Sequence, residues 1–505
     1  MNNTFKPIKY LAILFMASIQ FALANNVKVE NISLTNQNTT TDVKDIEFDI
    51  SWENSWRTVA APANWDACWI VAKYRVTTGS TWEHATLSSV DGDHTPTSGN
   101  TIKAVADGMG VYIYRDADGS GNNNFDNVRI RWDYGADGLV DEDSVEICVF
   151  AVEMIYIPDG NFELGDGDGT TTETTHAFEL ASSNNTPVSI STSLSATLET
   201  DASTTYDDAI LGSTGIRLDG DGGIDEDNNG SVDHPNFPVG YNAIYCMKYE
   251  ISQGQYVEFV NKLTSGQAAN LIAITSANRE NISGSGSVWS STTPDRPKGM
   301  NWFDLCAYLD WMALRPMTET EYEKICRGTT AATKGEYAWG NTSIYTTAYT
   351  LNFDGTSSEQ ISNMGTSTGN ANYNSVDPSG LVRCGIFAAS SANNTREETG
   401  GTYYGVMEMS GNIYEQVVFL GDPDGRDFDG SNGDGEVHSS GYGNVAGWPG
   451  YDGATDIDFN DNGFTIRGGY YSSSTTPLRV SDRTYVNNHV TTRSSIYGGR
   501  GVRTE

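Results

Sequence analysis

Residues 464–505 read FTIRGGYYSSSTTPLRVSDRTYVNNHVTTRSSIYGGRGVRTE. An Arg-Gly-Gly turn opens the stretch, and Arg467, Arg479, Arg483, Arg493 and Arg500 punctuate it. Between Gly469 and Gly498 most residues are Tyr, Ser, Thr, Asn, Asp or His. Tyrosine offers broad amphipathic contact area at low entropic cost, and Ser and Asn offer adaptable hydrogen bonds, the mixture used by antibody loops. A guanidinium suits bidentate pairing with buried carboxylates, so the arginines read as framework. The stretch holds no cysteine, and the last one in the chain is Cys384.

Upstream stand MIYIPDGNFELGDGDG (154–169), RPMTETEYEKICRG (315–328), YAWGN (337–341) and YGVMEMSGNIYEQ (404–416). In this order, and with the RGG turn after them, the segments resemble the formylglycine-generating (sulfatase-modifying factor) family, whose fold is a C-type-lectin-like variant. The resemblance implies an α+β, loop-rich domain over 151–505, with two main helices against a small twisted sheet and insertions near 166–236 and 342–400. Three helix starts are legible within it. Ser252 with Gln255 forms a capping box before Tyr256, Phe259, Val260 and Leu263. Asn301 caps a helix through Leu305 and Leu309, and Thr318 with Glu321 caps one that stops at Gly328.

Active members of the family oxidise a substrate cysteine with copper held by two cysteines shortly after the RGG turn. Those positions fall near Tyr470 or Ser473, and near Thr475 or Leu478, none of which is a thiol. Copper(I) requires soft thiolates that hydroxyls do not replace. Histidines 84, 94, 176, 234, 438 and 489 are scattered, with no pair at metal-ligand spacing. No catalytic residue is assigned, and neither copper nor iron is expected. The resemblance also implies a bound Ca²⁺, with carboxylates from Glu408 and Glu415 and backbone carbonyls from Gly411 and Ile413. Tyr414 and Gln416 stand where the family has tryptophans. A second calcium candidate is the run Asp219, Asp221, Asp225 and Asp227, whose alternating acids suit a hard cation without matching an EF-hand. Asp116 to Asn124 is a weaker loop of the same kind.

The first 24 residues read as a secretory signal: Lys6 and Lys9, an apolar run, then Ala22-Leu23-Ala24. Residues 25–150 are expected to form an all-β, immunoglobulin-like sandwich. Ile46, Phe48, Ile50 and Trp52 alternate with polar residues, as do Val128, Ile130 and Trp132, and CWIVAKYRV, GVYIY and VEICVFAV add strands. Six cysteines in an exported chain permit disulfides without specifying them, and a bridge between Cys68 and Cys148 is allowed.

With 66 acidic against 30 basic residues, the net charge of −36 excludes nucleic acid as a partner and repels anionic membranes. No stretch after the signal is long and apolar enough to span a bilayer. The expectation is therefore a secreted or cell-surface bacterial protein, a pseudoenzyme on this scaffold, that binds a protein or glycan. Its contact residues are expected to be Tyr470, Tyr471, Ser473, Tyr485, Asn487, Asn488, His489 and Tyr497. Some lectin-fold relatives end in a segment diversified by retroelements, and this tail is similar in composition. The alternatives are a metal-dependent oxidase and an architectural envelope or fibre component that self-assembles.

Overall fold

Alternation builds the first layer. Strand β2 (Val43–Arg57) buries Ile46, Phe48, Ile50 and Trp52 on one face and turns Glu47, Asp49 and Ser51 the other way. It pairs antiparallel with β7 (Gly119–Asp133), Ile46 opposite Ile130 and Phe48 opposite Val128, and on its other edge with β1 (Lys28–Asn38). The computed structural model describes residues 27–77, 81–167, 177–178, 186–190, 234–374, 378–451, 457–486 and 488–504. The expected signal segment, the Asp219–Asp227 loop and Asn487 lie outside these residues.

The second sheet has eight strands, all antiparallel. Its order is β14 (Arg315–Pro316), β20 (Gly501–Thr504), β11 (Ile244–Met247), β8 (Val145–Ile157), β3 (Asp66–Val76), β6 (Val111–Arg115) and β5 (Asn100–Ala104), with β4 (Glu83–His84) also on β3. Cys68, Ile70, Ala72 and Tyr74 of β3 pack against the three-stranded sheet. Ala67, Trp69 and Val71 pack the opposite way, into the core that holds the helices. Burial on both faces explains the unbroken apolar run in β3. The result is three layers: sheet, sheet and helices.

β8 runs without a break through residue 150, and its Met154–Ile157 end pairs with β11. The N-terminal sandwich and the C-terminal domain thus share one sheet, and the last strand of the chain belongs to it. The sheet also settles the cysteines. Cys68 lies opposite Glu153 and Cys148 opposite Lys73, so the two thiols are offset by five residues, about 17 Å of strand. They also face different cores. No bridge joins them, and all six cysteines are buried free thiols.

Four helices of seven to ten residues lie beyond the sheet: α1 (Gln253–Val260), α2 (Ser265–Leu271), α3 (Trp302–Trp311) and α4 (Glu319–Arg327). Each begins with a complete capping box, at Ser252/Gln255, Thr264/Gln267, Asn301/Asp304 and Thr318/Glu321. The box at Thr264 escaped the sequence reading because Ser-Gly-Gln-Ala-Ala-Asn-Leu carries almost no apolar periodicity. Short pairs β9 (Phe162–Leu164) with β10 (Val188–Ile190), β12 (Ile282–Ser285) with β13 (Val288–Ser291), and β15 (Leu351–Asn352) with β16 (Gln360–Ile361) edge the domain. A last sheet sets β17 (Tyr414–Val418) between β18 (Phe464–Arg467) and β19 (Tyr497–Gly498). The protein is mostly β with few helices. No helix among the described residues is long and apolar enough to cross a membrane.

Candidate functional site

β17 presents two kinds of side chain because successive residues of a strand point to opposite faces. Glu415 points inward and is fully buried. Tyr414 points toward the surface yet is only 5% exposed, because other rings close around it. The loop leading into β17 is backbone-strained. Glu408, Gly411 and Asn412 have φ of +56°, +94° and +65°, a region that costs most residues energy and that Gly and Asn tolerate best. At Gly411 a Cβ would sit 2.6 Å from the Asn372 carbonyl oxygen, so only glycine fits.

Asn412 ties this loop to its surroundings. Its Nδ2 donates to Glu250 Oε1 at 3.0 Å, and its Oδ1 accepts from the Val382 amide at 3.0 Å and from Asn372 Nδ2 at 3.2 Å. Glu408 Oε1 accepts from the Gly385 amide at 3.0 Å. Glu415 Oε1 accepts from Arg500 Nε at 2.8 Å and Nη2 at 2.5 Å, and Arg500 Nη1 reaches the Met247 and Lys248 carbonyls. The second oxygens of Glu250, Glu408 and Glu415 are buried with no partner. Burial first, and then the Glu250 charge, push the Glu408 carboxyl well above its ordinary value. The Gly411 carbonyl accepts from the Ile413 amide at 2.9 Å. Gln416 is buried and donates to the Gly498 carbonyl at 2.9 Å.

The surface side of β17 is a tyrosine cluster. Tyr470, Tyr485 and Tyr497 place their ring centroids 5.1, 5.9 and 6.0 Å from that of Tyr414. Asn488 Nδ2 donates to the Tyr497 hydroxyl at 3.2 Å. Tyr485 is the most exposed of the four, at 44%. These three tyrosines and Asn488 come from distant parts of the quoted stretch and meet on one face. Tyr471 and Ser473 touch it from beneath, the Tyr471 ring edge-on to Tyr470 at 5.1 Å. Tyr471 is buried against Leu381 and Ile413, and Ser473 is buried, accepting from the Tyr470 amide and lying 3.4 Å from the Tyr414 hydroxyl. His489 turns its Nδ1 to the Phe464 carbonyl at 2.9 Å and packs on Phe419 and Phe464. Of these three, Tyr471 and Ser473 are buried and His489 is half-buried. Tyr414, the hub, was absent from the sequence candidates.

The framework reading holds for Arg467, Arg483, Arg493 and Arg500, while Arg479 is half-buried with its Nε unpartnered. Arg467 donates to Glu323 at 2.7 Å and Glu319 at 3.2 Å, Arg483 to Glu319 at 2.7 Å, and Arg493 to Asp304 at 2.6 Å. Another acidic group was not foreseen: Asp422, Asp424 and Asp461 bring three carboxylate oxygens within 4.8 Å of one another. Asp461 spends both oxygens on the Gly450 and Gly463 amides, and Asp422 caps the short helix Pro423–Arg426.

The family model of the sulfatase-modifying factor enzyme 1-like domain matches residues 194–505. The chain belongs to this family. No curated protein matches it. Of the residues set against the family's thiol pair, Tyr470 or Ser473 and Thr475 or Leu478, Tyr470 and Thr475 are half-buried and Ser473 and Leu478 are buried. Cys384 is buried on the Glu250 side of the domain, its Sγ 3.7 Å from the Glu250 carbonyl, and burial holds its thiol protonated.

Proposed function

We propose that this member of the sulfatase-modifying factor family is an exported, non-catalytic recognition module. It holds a protein or glycan ligand on the tyrosine surface and a calcium ion in the Glu408–Glu415 loop. The observation that carries the first part is the convergence of Tyr470, Tyr485 and Tyr497 on Tyr414, beside positions where the family chemistry needs thiols. Rings with hydroxyl and amide tips provide apolar contact and hydrogen bonding at once.

The donor set supports calcium. Oxygen ligands in a buried, water-poor loop suit this ion, and Glu408 and Glu415 each keep an unpartnered buried oxygen. When bound, calcium would neutralise the carboxylates and fix the loop that enters β17. The immunoglobulin-like kinship of the N-terminal sandwich is part of the proposal, supported by the alternation in β2 and β7. The signal-like leader supports export.

The test is binding of the full mature chain to glycan and surface-protein arrays, with calcium and then with chelator. Calcium-dependent hits that Tyr485→Ala and Tyr497→Ala weaken, with melting temperature nearly unchanged, are the expected result. A folded, calcium-loaded protein that binds nothing on either array would overturn the recognition reading.

A further inference from the structure

Where the N-terminal sandwich passes into the C-terminal domain, a buried acid and a buried amine face each other. Glu153 of β8 and Lys248, the residue after β11, are 1% and 2% exposed. Met247 lies opposite Met154, and the Lys248 amide donates to the Glu153 carbonyl at 3.0 Å, so the two side chains are cross-strand neighbours. Lys248 Nζ donates to Glu153 Oε1 at 2.6 Å and stands over the rings of Trp56 and Tyr249, 5.0 and 5.4 Å from their centroids. Asp66 of β3 completes the group. Cys68 is opposite Glu153, so Asp66, two residues earlier, shares that face. It is fully buried and hydrogen-bonded to Glu153. Its carboxylate is fixed by Trp52 Nε1 and Ser55 Oγ, both at 2.7 Å, and by the Trp56 amide at 2.9 Å.

Two acids and one amine are neutral together when one acid keeps its proton. Burial pushes the Glu153 carboxyl up to about 8, with Lys248 opposing the rise and Asp66 adding to it. Burial also works against the Lys248 ammonium, but Glu153, Tyr249 and Asp66 hold it above its ordinary value. The resting group is therefore an ammonium, a carboxylate at Asp66 and a neutral carboxylic acid at Glu153. We propose that Lys248 and Glu153 condense to an amide, an isopeptide bond that joins β8 to β11. Asp66 takes one proton from the ammonium, and the freed amine attacks Glu153 Cδ. The C–N bond forms, the C–OH bond breaks, and one water leaves with that hydroxyl and a second amine proton. The balance closes without a co-reactant, and Asp66 ends as a neutral acid.

The fold supplies what this condensation lacks in water. An Nζ to Oε1 distance of 2.6 Å sets the amine roughly 3–3.5 Å from Cδ, the separation of a reacting pair, and oriented groups of this kind reach effective molarities of about 10⁵ M or more. Charges held out of water are costly; the amide and the protonated Asp66 remove them. The expelled water has no buried site to return to, which opposes hydrolysis. The bond links residues 95 positions apart and restricts the unfolded chain as a disulfide does, in a protein whose cysteines are all free thiols. It ties the strand that the sandwich and the C-terminal domain share to the domain's own β11.

The experiment is mass spectrometry of the full mature chain, folded at neutral pH and then denatured. The intact mass should fall one water below that of the sequence. Trypsin should spare Lys248 and leave residues 132–217 joined to 218–262. Lys248→Met should restore the full mass. Asp66→Asn, which removes the base, should slow the loss of water after refolding at least about a hundredfold. A salt bridge alone would leave the wild-type chain at its full mass and open to cleavage after Lys248. That result, in a chain with native near-ultraviolet dichroism, would overturn the proposal. So would a lost water that persists in Lys248→Met, or one mapped to residues 58–73, which hold Asp66. Wild-type kinetics in Asp66→Asn would overturn the role of Asp66 as base.

Discussion

Arg467, the arginine of the RGG turn, offers the sharpest test of how this fold is held. Its guanidinium is fully buried and lies among three other buried charges of α4. Glu319 also binds Arg483, Glu323 also binds Arg327, and Arg327 binds Glu336. Three carboxylates and three guanidiniums thus form one neutral network. Replacing Arg467 by Met leaves one carboxylate in excess, in a place water does not reach. The folded protein can keep it only by taking up a proton. With an unfolded glutamate near pH 4.3, that proton costs about 3.7 kcal/mol at pH 7 and about 1 kcal/mol at pH 5. The pH 7 figure lies within the 3–5 kcal/mol (roughly) lost when buried pairs are broken. Arg467→Met should therefore lower stability by about 4 kcal/mol at pH 7 and much less at pH 5, read from urea midpoints at one fixed calcium concentration. Adding Glu323→Gln removes the stranded charge and should return most of the pH 7 loss. Equal losses at the two pH values, or a double variant no better than the single one, would refute the argument.

Two more predictions come from other parts of the molecule. A chain beginning at residue 151 should not fold, because β3 covers the whole edge of β8 and Trp69 donates to the Met312 carbonyl from inside the helical core; a monomeric fragment with native near-ultraviolet dichroism would contradict the shared sheet. Burial pushes the Asp482 carboxyl up to about 6, above its unfolded value near 3.9, so its ionisation costs stability as pH rises through that window. Asp482→Asn should then stabilise by about 2–3 kcal/mol at pH 8 and by almost nothing at pH 4, and a gain independent of pH in thermal unfolding would sink this reading.

The local rules of the fold were open to reading in the sequence. Period-2 burial in β2 and β7 and the helix caps at Ser252, Asn301 and Thr318 depend on neighbours within a few residues. The shared sheet was not legible, because it depends on Gly501–Thr504 reaching β11, about 260 residues away, and on β11 reaching β8, about 90 residues away. A four-residue strand ending a polar stretch carries no such signal. The tyrosine surface was partly legible: Tyr470, Tyr485, Asn488 and Tyr497 were named, but composition cannot separate them from the inward Tyr471 and Ser473. Tyr414 could have been found, since a strand that buries Glu415 must turn its neighbour to the other face.

The family frame survives without its thiols for a physical reason. The frame is held by groups other than the side chains at the thiol positions: capped helices, neutral clusters of buried charge, and Asn412 stitching its loop. Hydroxyl and aliphatic side chains at the thiol positions disturb none of these. One of them, Leu478, is part of an apolar cluster with Tyr337, Trp339 and Ala371. Where it occupies a family thiol position, a metal ligand has been exchanged for core packing, and a cysteine returned there would lose that burial, about 2 kcal/mol or more, before gaining any ligand. Next to it, the same polypeptide stretch supplies the outer tyrosines.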